Sequence, residues 1–177
     1  MADQTHTRVT IADYLDPSGD VINAVTLQRN NGLKSAAAFT PAATSHNAGD
    51  SVGGALEFTN IAPRGGGNVI ITSASLAILG GTAEASAFRL YLYDVTPPSA
   101  TADDAAWDLP SGDRASFLGY VDLGTPVDLG STCWIETSGI NKQVKAASSS
   151  LFGYLVNLTT VSTAAVAHTV TLHTVAV

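Results

Sequence analysis

The chain has 177 residues, of which 45% are hydrophobic and only 13% charged, and its formal net charge is −7. This length suits one domain with a sizeable core, and the eight scattered Lys and Arg residues argue against binding nucleic acid through its phosphates, which requires clustered basic residues. The single cysteine, Cys133, excludes an intrachain disulfide and is expected to be a buried small hydrophobe.

The first 45 residues differ from the rest of the chain. They contain a strand candidate at 7–11, a turn at 16–20, an apolar stretch at 21–27, a second turn at 30–32 and a small-residue segment at 36–43. Two interpretations stay open: an extended arm that packs on its own or a neighbouring subunit, or ordinary peripheral strands of the same sandwich. We therefore divide the chain into residues 1–45 and a β-sandwich domain at 46–177.

The polar N-terminus lacks the basic and apolar regions of a signal peptide, and no run approaches the ~20 apolar residues of a membrane span. We therefore expect synthesis in the cytoplasm of the host cell and no membrane partner.

From residue 49 onward, short strand candidates alternate with turns. Between 87 and 95, Phe88, Leu90 and Leu92 alternate with Arg89, Tyr91 and Tyr93, so the two sets should lie on opposite faces of one strand. Residues 99–115 form a long polar connection with one possible helical turn at 102–107, and Trp107 and Leu109 indicate that it folds onto the domain. The strand candidates lie at 51–61, 68–79, 87–95, 117–123, 132–137, 150–158 and 167–177.

These eight to ten strands predict an all-β fold, an antiparallel β-sandwich of jelly-roll-like form with an extended N-terminal arm. The low content of charged residues, about half of the ~25% that is usual for soluble domains, fits a surface partly covered by a partner.

No motif predicts catalysis. Gly49-Asp50-Ser51 matches the start of the serine block of GDSL-type hydrolases, but it does not follow a buried strand, and neither His168 nor His173 has an aspartate three residues before it. These two histidines are five residues apart, so on one strand they point to opposite faces and cannot share a metal ion. We expect a turn at Ser51, no enzyme activity and no cofactor.

Four aspartates, at 103, 104, 108 and 113, cluster in the long connection. Calcium prefers several oxygen ligands on a flexible loop, but the spacing does not fit an EF-hand. A solvated acidic loop is the preferred interpretation, and calcium binding stays open.

One stretch resembles a known family. It begins with the strand Phe88-Arg89-Leu90-Tyr91-Leu92-Tyr93 and the turn Pro97-Pro98, continues through Ala102-Asp103-Asp104-Ala105-Ala106-Trp107 and Ser111-Gly112-Asp113-Arg114, and closes with Phe117-Leu118-Gly119-Tyr120. This pattern is similar to small structural proteins of tailed bacteriophages, of the capsid decoration or head cement type. The likeness extends more weakly from Gly49 to Tyr154 and leaves the first 45 residues uncovered.

The resemblance implies a non-enzymatic virion protein that sits on the outer capsid surface as a homotrimer and cements the major capsid protein lattice. The N-terminal arm is then the expected lattice-gripping element. The alternative is a receptor- or carbohydrate-binding β-sandwich module of a phage fibre or baseplate. The candidate interaction residues are Tyr14, Leu15, Val21 and Ile22 in the arm and Trp107 in the connection.

Overall fold

A computed structural model describes residues 11–15, 21–25, 32–80 and 84–177, and every regular element in these ranges is a β-strand. None of these four ranges contains a helix that is long and apolar enough to cross a membrane. The strands are β1 Ile11–Leu15, β2 Val21–Val25, β3 Gly32–Phe39, β4 Ser45–His46, β5 Leu56–Phe58, β6 Gly67–Leu79, β7 Phe88–Tyr93, β8 Phe117–Gly124, β9 Val127–Asp128, β10 Thr132–Ala146, β11 Leu151–Asn157, β12 Val161–Ser162 and β13 His168–Ala176.

Five strands form one antiparallel sheet in the order β3-β13-β6-β10-β9. Two of its strands, β6 and β13, are rich in Val, Ile and Thr, whose branched side chains favour a pleated surface. In β6 the inward positions change from odd to even numbers between Ile71 and Ala74, and the pairing with both neighbouring strands shifts there. A bulge of this kind keeps apolar residues on the core face of a strand too long for a single register.

Four strands form the second sheet in the order β5-β11-β7-β8. The predicted alternation in β7 is confirmed, because Phe88, Leu90 and Leu92 are fully buried while Arg89 and Tyr91 are partly exposed on the other face. Outward-facing Tyr93 is also buried, since the long connection covers it.

The core lies between the two sheets. Ile71 and Leu76 of the five-stranded sheet join Leu90 and Leu155 of the four-stranded sheet in one cluster of buried side chains, and each such side chain contributes about 1.5–3 kcal/mol through burial. The chain passes between the two sheets from β3 to β5, at β5–β6, β6–β7, β8–β9 and β10–β11, and from β11 to β13. On the first and last of these passages, β4 and β12 pair with each other in a separate two-stranded antiparallel sheet. The prediction of an all-β, antiparallel, jelly-roll-like sandwich is confirmed.

The chain divides into two units, Met1–Asn30 and Asn31–Val177. In the first unit β1 and β2 form an antiparallel hairpin in which Tyr14 pairs with Ile22 and Leu15 with Val21. Most of the predicted strand at 7–11 lies outside the described residues. In the second unit β3 is an edge strand paired with β13, and the division at residue 45 stays a prediction.

Two expectations about local structure were wrong. The segment 102–107 is not helical, because its backbone bonds to a distant segment: Asp104 N donates to Ser51 O, and Ser51 N donates to Ala105 O. The strand predicted at 132–137 continues to Ala146, because β6 pairs with it along nearly its whole length.

Candidate functional site

The 99–115 connection packs on the outer face of the four-stranded sheet, where it covers a layer of aromatic side chains. Register places Tyr154, Tyr91 and Tyr120 side by side on β11, β7 and β8. Trp107 lies flat on Tyr91, with ring centroids 3.7 Å apart and planes 9° from parallel. This aromatic layer, Tyr91, Tyr93, Trp107, Phe117, Phe152 and Tyr154, is a second apolar cluster outside the main core.

Asp103 ties the connection to the segment 42–53. Its Oδ2 accepts a hydrogen bond from Ala42 N at 2.6 Å, and its Oδ1 accepts one from Gly53 N at 2.7 Å. The Nε2 atom of the fully buried His46 lies 2.9 Å from the same Oδ1. Burial raises the pKa of the Asp103 carboxyl, but the hydrogen bonds from Ala42, His46 and Gly53 together outweigh it, so this pKa lies below its usual value.

Asp113 closes the connection on itself. Its carboxylate accepts hydrogen bonds from Ser99 N at 3.3 Å and from Ser99 Oγ at 3.0 Å. Thr101 N donates to the Tyr154 hydroxyl oxygen at 3.1 Å, which fixes the start of the connection to the sheet below. Asp103 and Asp113 are therefore structural anchors, which corrects the expectation of a solvated acidic loop for these two, while Asp104 and Asp108 are exposed as expected. Within the described ranges no three His, Cys, Asp or Glu side chains are grouped as a metal ion requires.

Burial beneath the connection raises the pKa of Tyr93 to about 12. The Trp107 indole N–H partly opposes this rise in pKa, because it points toward the Tyr93 hydroxyl. Its Nε1 atom is buried, and no described residue lies in position to accept a full hydrogen bond from it. The stacked contact with Tyr91 is therefore the closest packing that the Trp107 ring makes in the aromatic layer.

Trp107 allows a matched pair of substitutions. Trp107→Ala should lower the free energy of unfolding by about 2 kcal/mol, less than for a fully buried tryptophan, because the ring is half-buried and its stacking is lost. Trp107→Phe should change it by less than about 0.5 kcal/mol, since an aromatic ring remains to stack on Tyr91. Urea unfolding monitored by circular dichroism measures both. Equal losses would show that stacking is not what holds Trp107 in place.

The predicted contact residues have different outcomes. Trp107 lies against the domain as half-buried packing, and its role in binding a partner stays a prediction. Tyr14, Leu15, Val21 and Ile22 belong to the β1–β2 hairpin, but their side chains lie outside what the structure describes.

The side chains considered for catalysis have structural roles. Ser51 is fully buried and its hydroxyl donates to Gly53 O at 2.9 Å. His168 is buried with its Nε2 3.2 Å from Glu84 Oε1, while His173 points to the other face of β13. Cys133 is buried as predicted, and burial raises the pKa of its thiol.

Exposed apolar side chains gather at one end of the outer face of the five-stranded sheet. We call Leu79, Val127, Leu129 and Trp134 the outer apolar patch; they are 58%, 55%, 66% and 37% exposed. Beside them lies an open depression of about 220 Å³ lined by Ala77, Leu79, Thr132, Ala167 and Thr169.

The outer apolar patch was not predicted from the sequence, although one signal was present. Cys133 was expected to be buried in a strand, and alternation then places Trp134 on the opposite, outward face. The contribution of Leu79 required the pairing of β6 with β10, which the sequence does not provide.

No family model and no curated protein matches this chain. Among solved structures, it is similar to a chain of tomato aspermy virus, with 8% identity, a TM-score of 0.29, and coverage of 88% of this chain and 83% of that one. It is also similar to a chain of a marine algae virus of the order Picornavirales, with 12% identity, a TM-score of 0.26, and coverage of 100% and 83%. At these TM-scores the likeness supports no conclusion about function.

Proposed function

We propose that this chain is a non-enzymatic virion structural protein that binds the outer capsid surface of a tailed bacteriophage and cements the major capsid protein lattice. The observation that carries the proposal is the outer apolar patch, which four large apolar side chains form on a sheet face. Contiguous exposed apolar surface of this kind marks sites of protein–protein contact.

The rest of the domain supports a role in contact. The carboxylates of Asp103, Asp113 and Glu84 and the rings of His46 and His168 are used to hold loops against the two sheets. These five side chains thus fix loops in place, and a rigid surface binds a lattice without a large ordering cost.

We expect a homotrimer on the virion surface, made in the host cytoplasm, with the major capsid protein as partner. Three copies of the outer apolar patch in one assembly would bind a repeating lattice with avidity, so each contact can be weak. Light scattering of the purified protein measures the mass, and a monomeric mass would contradict the trimer.

The decisive experiment is co-sedimentation of the purified protein with capsids that lack it, followed by electron cryo-microscopy. Ordered density at repeated lattice positions is the expected result, and no binding to capsids would refute the proposal. Deleting residues 1–20 tests the predicted gripping role of the N-terminal arm, which full occupancy by the shortened protein would contradict.

The alternative function, a receptor- or carbohydrate-binding module of a fibre or baseplate, is favoured by a different observation. Tyr120 is 46% exposed beside the aromatic layer, and the Arg89 guanidinium, paired with Asp122 at 2.6 Å, lies 3.9 Å from its ring centroid. An aromatic face beside hydrogen-bonding groups suits a sugar. A glycan array with wild type and Tyr120→Ala, together with melting in the presence and absence of calcium, separates this function from the first.

A further inference from the structure

The outer apolar patch is continuous across three strands. Register places Trp134 of β10 directly between Val127 of β9 and Ala77 of β6. One pair of positions closer to the end of the sheet, Thr132 pairs with Leu79, and Leu129 N donates to Thr132 O. Side chains directly opposite one another on neighbouring strands lie about 5 Å apart at Cβ. The four large side chains therefore form one surface and not isolated exposed residues.

The depression beside the patch has the size of a side-chain socket. Its volume of about 220 Å³ lies below the roughly 300–1,000 Å³ of pockets that enclose small-molecule ligands. Small residues, Ala77, Ala167 and Thr169, form much of its lining, while Leu79 stands beside it. An apolar side chain of a protein partner fits this space better than a free metabolite.

The charged side chain beside the patch on this face is acidic. Glu136 follows Trp134 by two positions on the same face of β10, whereas Asp128 pairs with the inward-facing Cys133 and lies on the opposite face of β9. Both acids are exposed. The lysines on this face lie toward the far end of the sheet, where Lys145 pairs with Asn68 and Lys34 with His173. Among the described residues of this face, the charged side chain beside the patch is therefore that of Glu136.

From this arrangement we propose that the outer apolar patch binds a surface segment of the major capsid protein in which an apolar side chain, seated in the depression, is flanked by a lysine or arginine that faces Glu136. The inference rests on the proposed function and specifies its contact. Apolar burial supplies the attraction, and the Glu136 carboxylate selects a basic partner and speeds its approach.

The test is quantitative co-sedimentation with capsids that lack the protein. The double variant Leu79→Ser/Trp134→Ser should bind at least tenfold more weakly than wild type. Leu158→Ser is the matched control, because Leu158 is 37% exposed like Trp134 but follows β11 of the other sheet. It should bind within twofold of wild type. Equal binding of the double variant and wild type would overturn the inference.

A second pair of variants tests the charge. Glu136→Lys should weaken binding severalfold and reduce its dependence on salt, while Gln143→Lys, an exposed position toward the far end of β10, should do neither. If Glu136→Lys binds capsids as wild type does, the proposed lysine or arginine of the partner does not contact Glu136, and that part of the inference is overturned.

A fluorescence measurement keeps the inference testable if the double variant does not fold. The chain has two tryptophans, so Trp107→Phe leaves Trp134 as the only indole. Its emission should shift to shorter wavelength when the protein binds capsids, because Trp134 leaves water. Bound protein with unchanged emission would overturn the inference, whereas wild type that fails to bind capsids would refute the proposed function itself.

Discussion

Replacing Asp103 with alanine is expected to lower the free energy of unfolding by about 3 kcal/mol. The carboxylate accepts hydrogen bonds from Ala42 N and Gly53 N and pairs with the buried His46 ring. Hydrogen bonds to a charged group contribute about 1.5–3 kcal/mol each, and removing the acceptor also leaves its donors unpaired. Because Asp103 is 26% exposed, water replaces part of what is lost, and the expected effect is smaller than the sum of the three bonds.

Urea unfolding at neutral pH measures this loss, and Asp108→Ala is its control. Asp108 is exposed in the same connection and, among the described residues, accepts a hydrogen bond from the neighbouring Leu109 N alone, so its removal should change stability by less than about 0.5 kcal/mol. Similar losses in the two variants would show that Asp103 does not anchor the connection.

The same carboxylate predicts a dependence on pH. Its pKa in the folded protein lies below the value of about 3.9 for an unfolded chain. A depressed carboxyl pKa contributes stability that is present above about pH 4 and is lost as the pH falls through the folded-state pKa. The difference in stability between wild type and Asp103→Ala should therefore be larger at about pH 5 than at about pH 2.5. A difference that grows on acidification would contradict the lowered pKa.

Gly153→Ala is expected to cost about 3 kcal/mol, although it adds a single methyl group. Gly153 lies in β11, paired with Leu56 on one side and with Leu92 on the other. A Cβ atom there would stand 2.5 Å from the Tyr91 carbonyl oxygen and 3.2 Å from Leu90 Cδ1. Because the first neighbour is backbone, relief requires β7 and β11 to move apart, which disturbs the centre of the four-stranded sheet.

Thermal and urea unfolding of Gly153→Ala should be compared with those of Gly54→Ala. A Cβ atom at Gly54 meets no atom within 4 Å, so this control should be neutral within about 0.5 kcal/mol. If both variants are neutral, the close approach of β7 and β11 at Gly153 is not a constraint on the fold.

Local patterns predicted much of the fold. The alternation from Phe88 to Tyr93 identified the core face of β7, and Trp107 and Leu109 indicated that the connection folds onto the domain. The continuation of β10 was missed because Ser138, Gly139 and Asn141 have the composition of a turn. Gly139 and Asn141 do adopt left-handed φ values of 70° and 51°, in an irregularity where the register with β6 shifts, and the pairing resumes at Lys142.

The anchors and the patch depend on long-range contacts. Asp103 bonds to Ala42 and Gly53, and it lies 57 positions along the chain from its third partner, His46. Leu79 and Trp134 become neighbours only when β6 and β10 pair. Periodicity within one strand carries no information about contacts between residues far apart in the chain. The sequence therefore identified candidate side chains but did not predict which of them are in contact.

The position of β13 has a consequence for synthesis on the ribosome. This strand lies between β3 and β6, yet it is the last of the described strands along the chain. Until it emerges, β3 has no neighbour in its sheet and β6 lacks one of its two. Pairing over such a sequence distance is slow to form. The five-stranded sheet therefore closes only after translation has passed residue 176, and nascent chains that stop before His168 should be recognised as unfolded and degraded instead of joining an assembly.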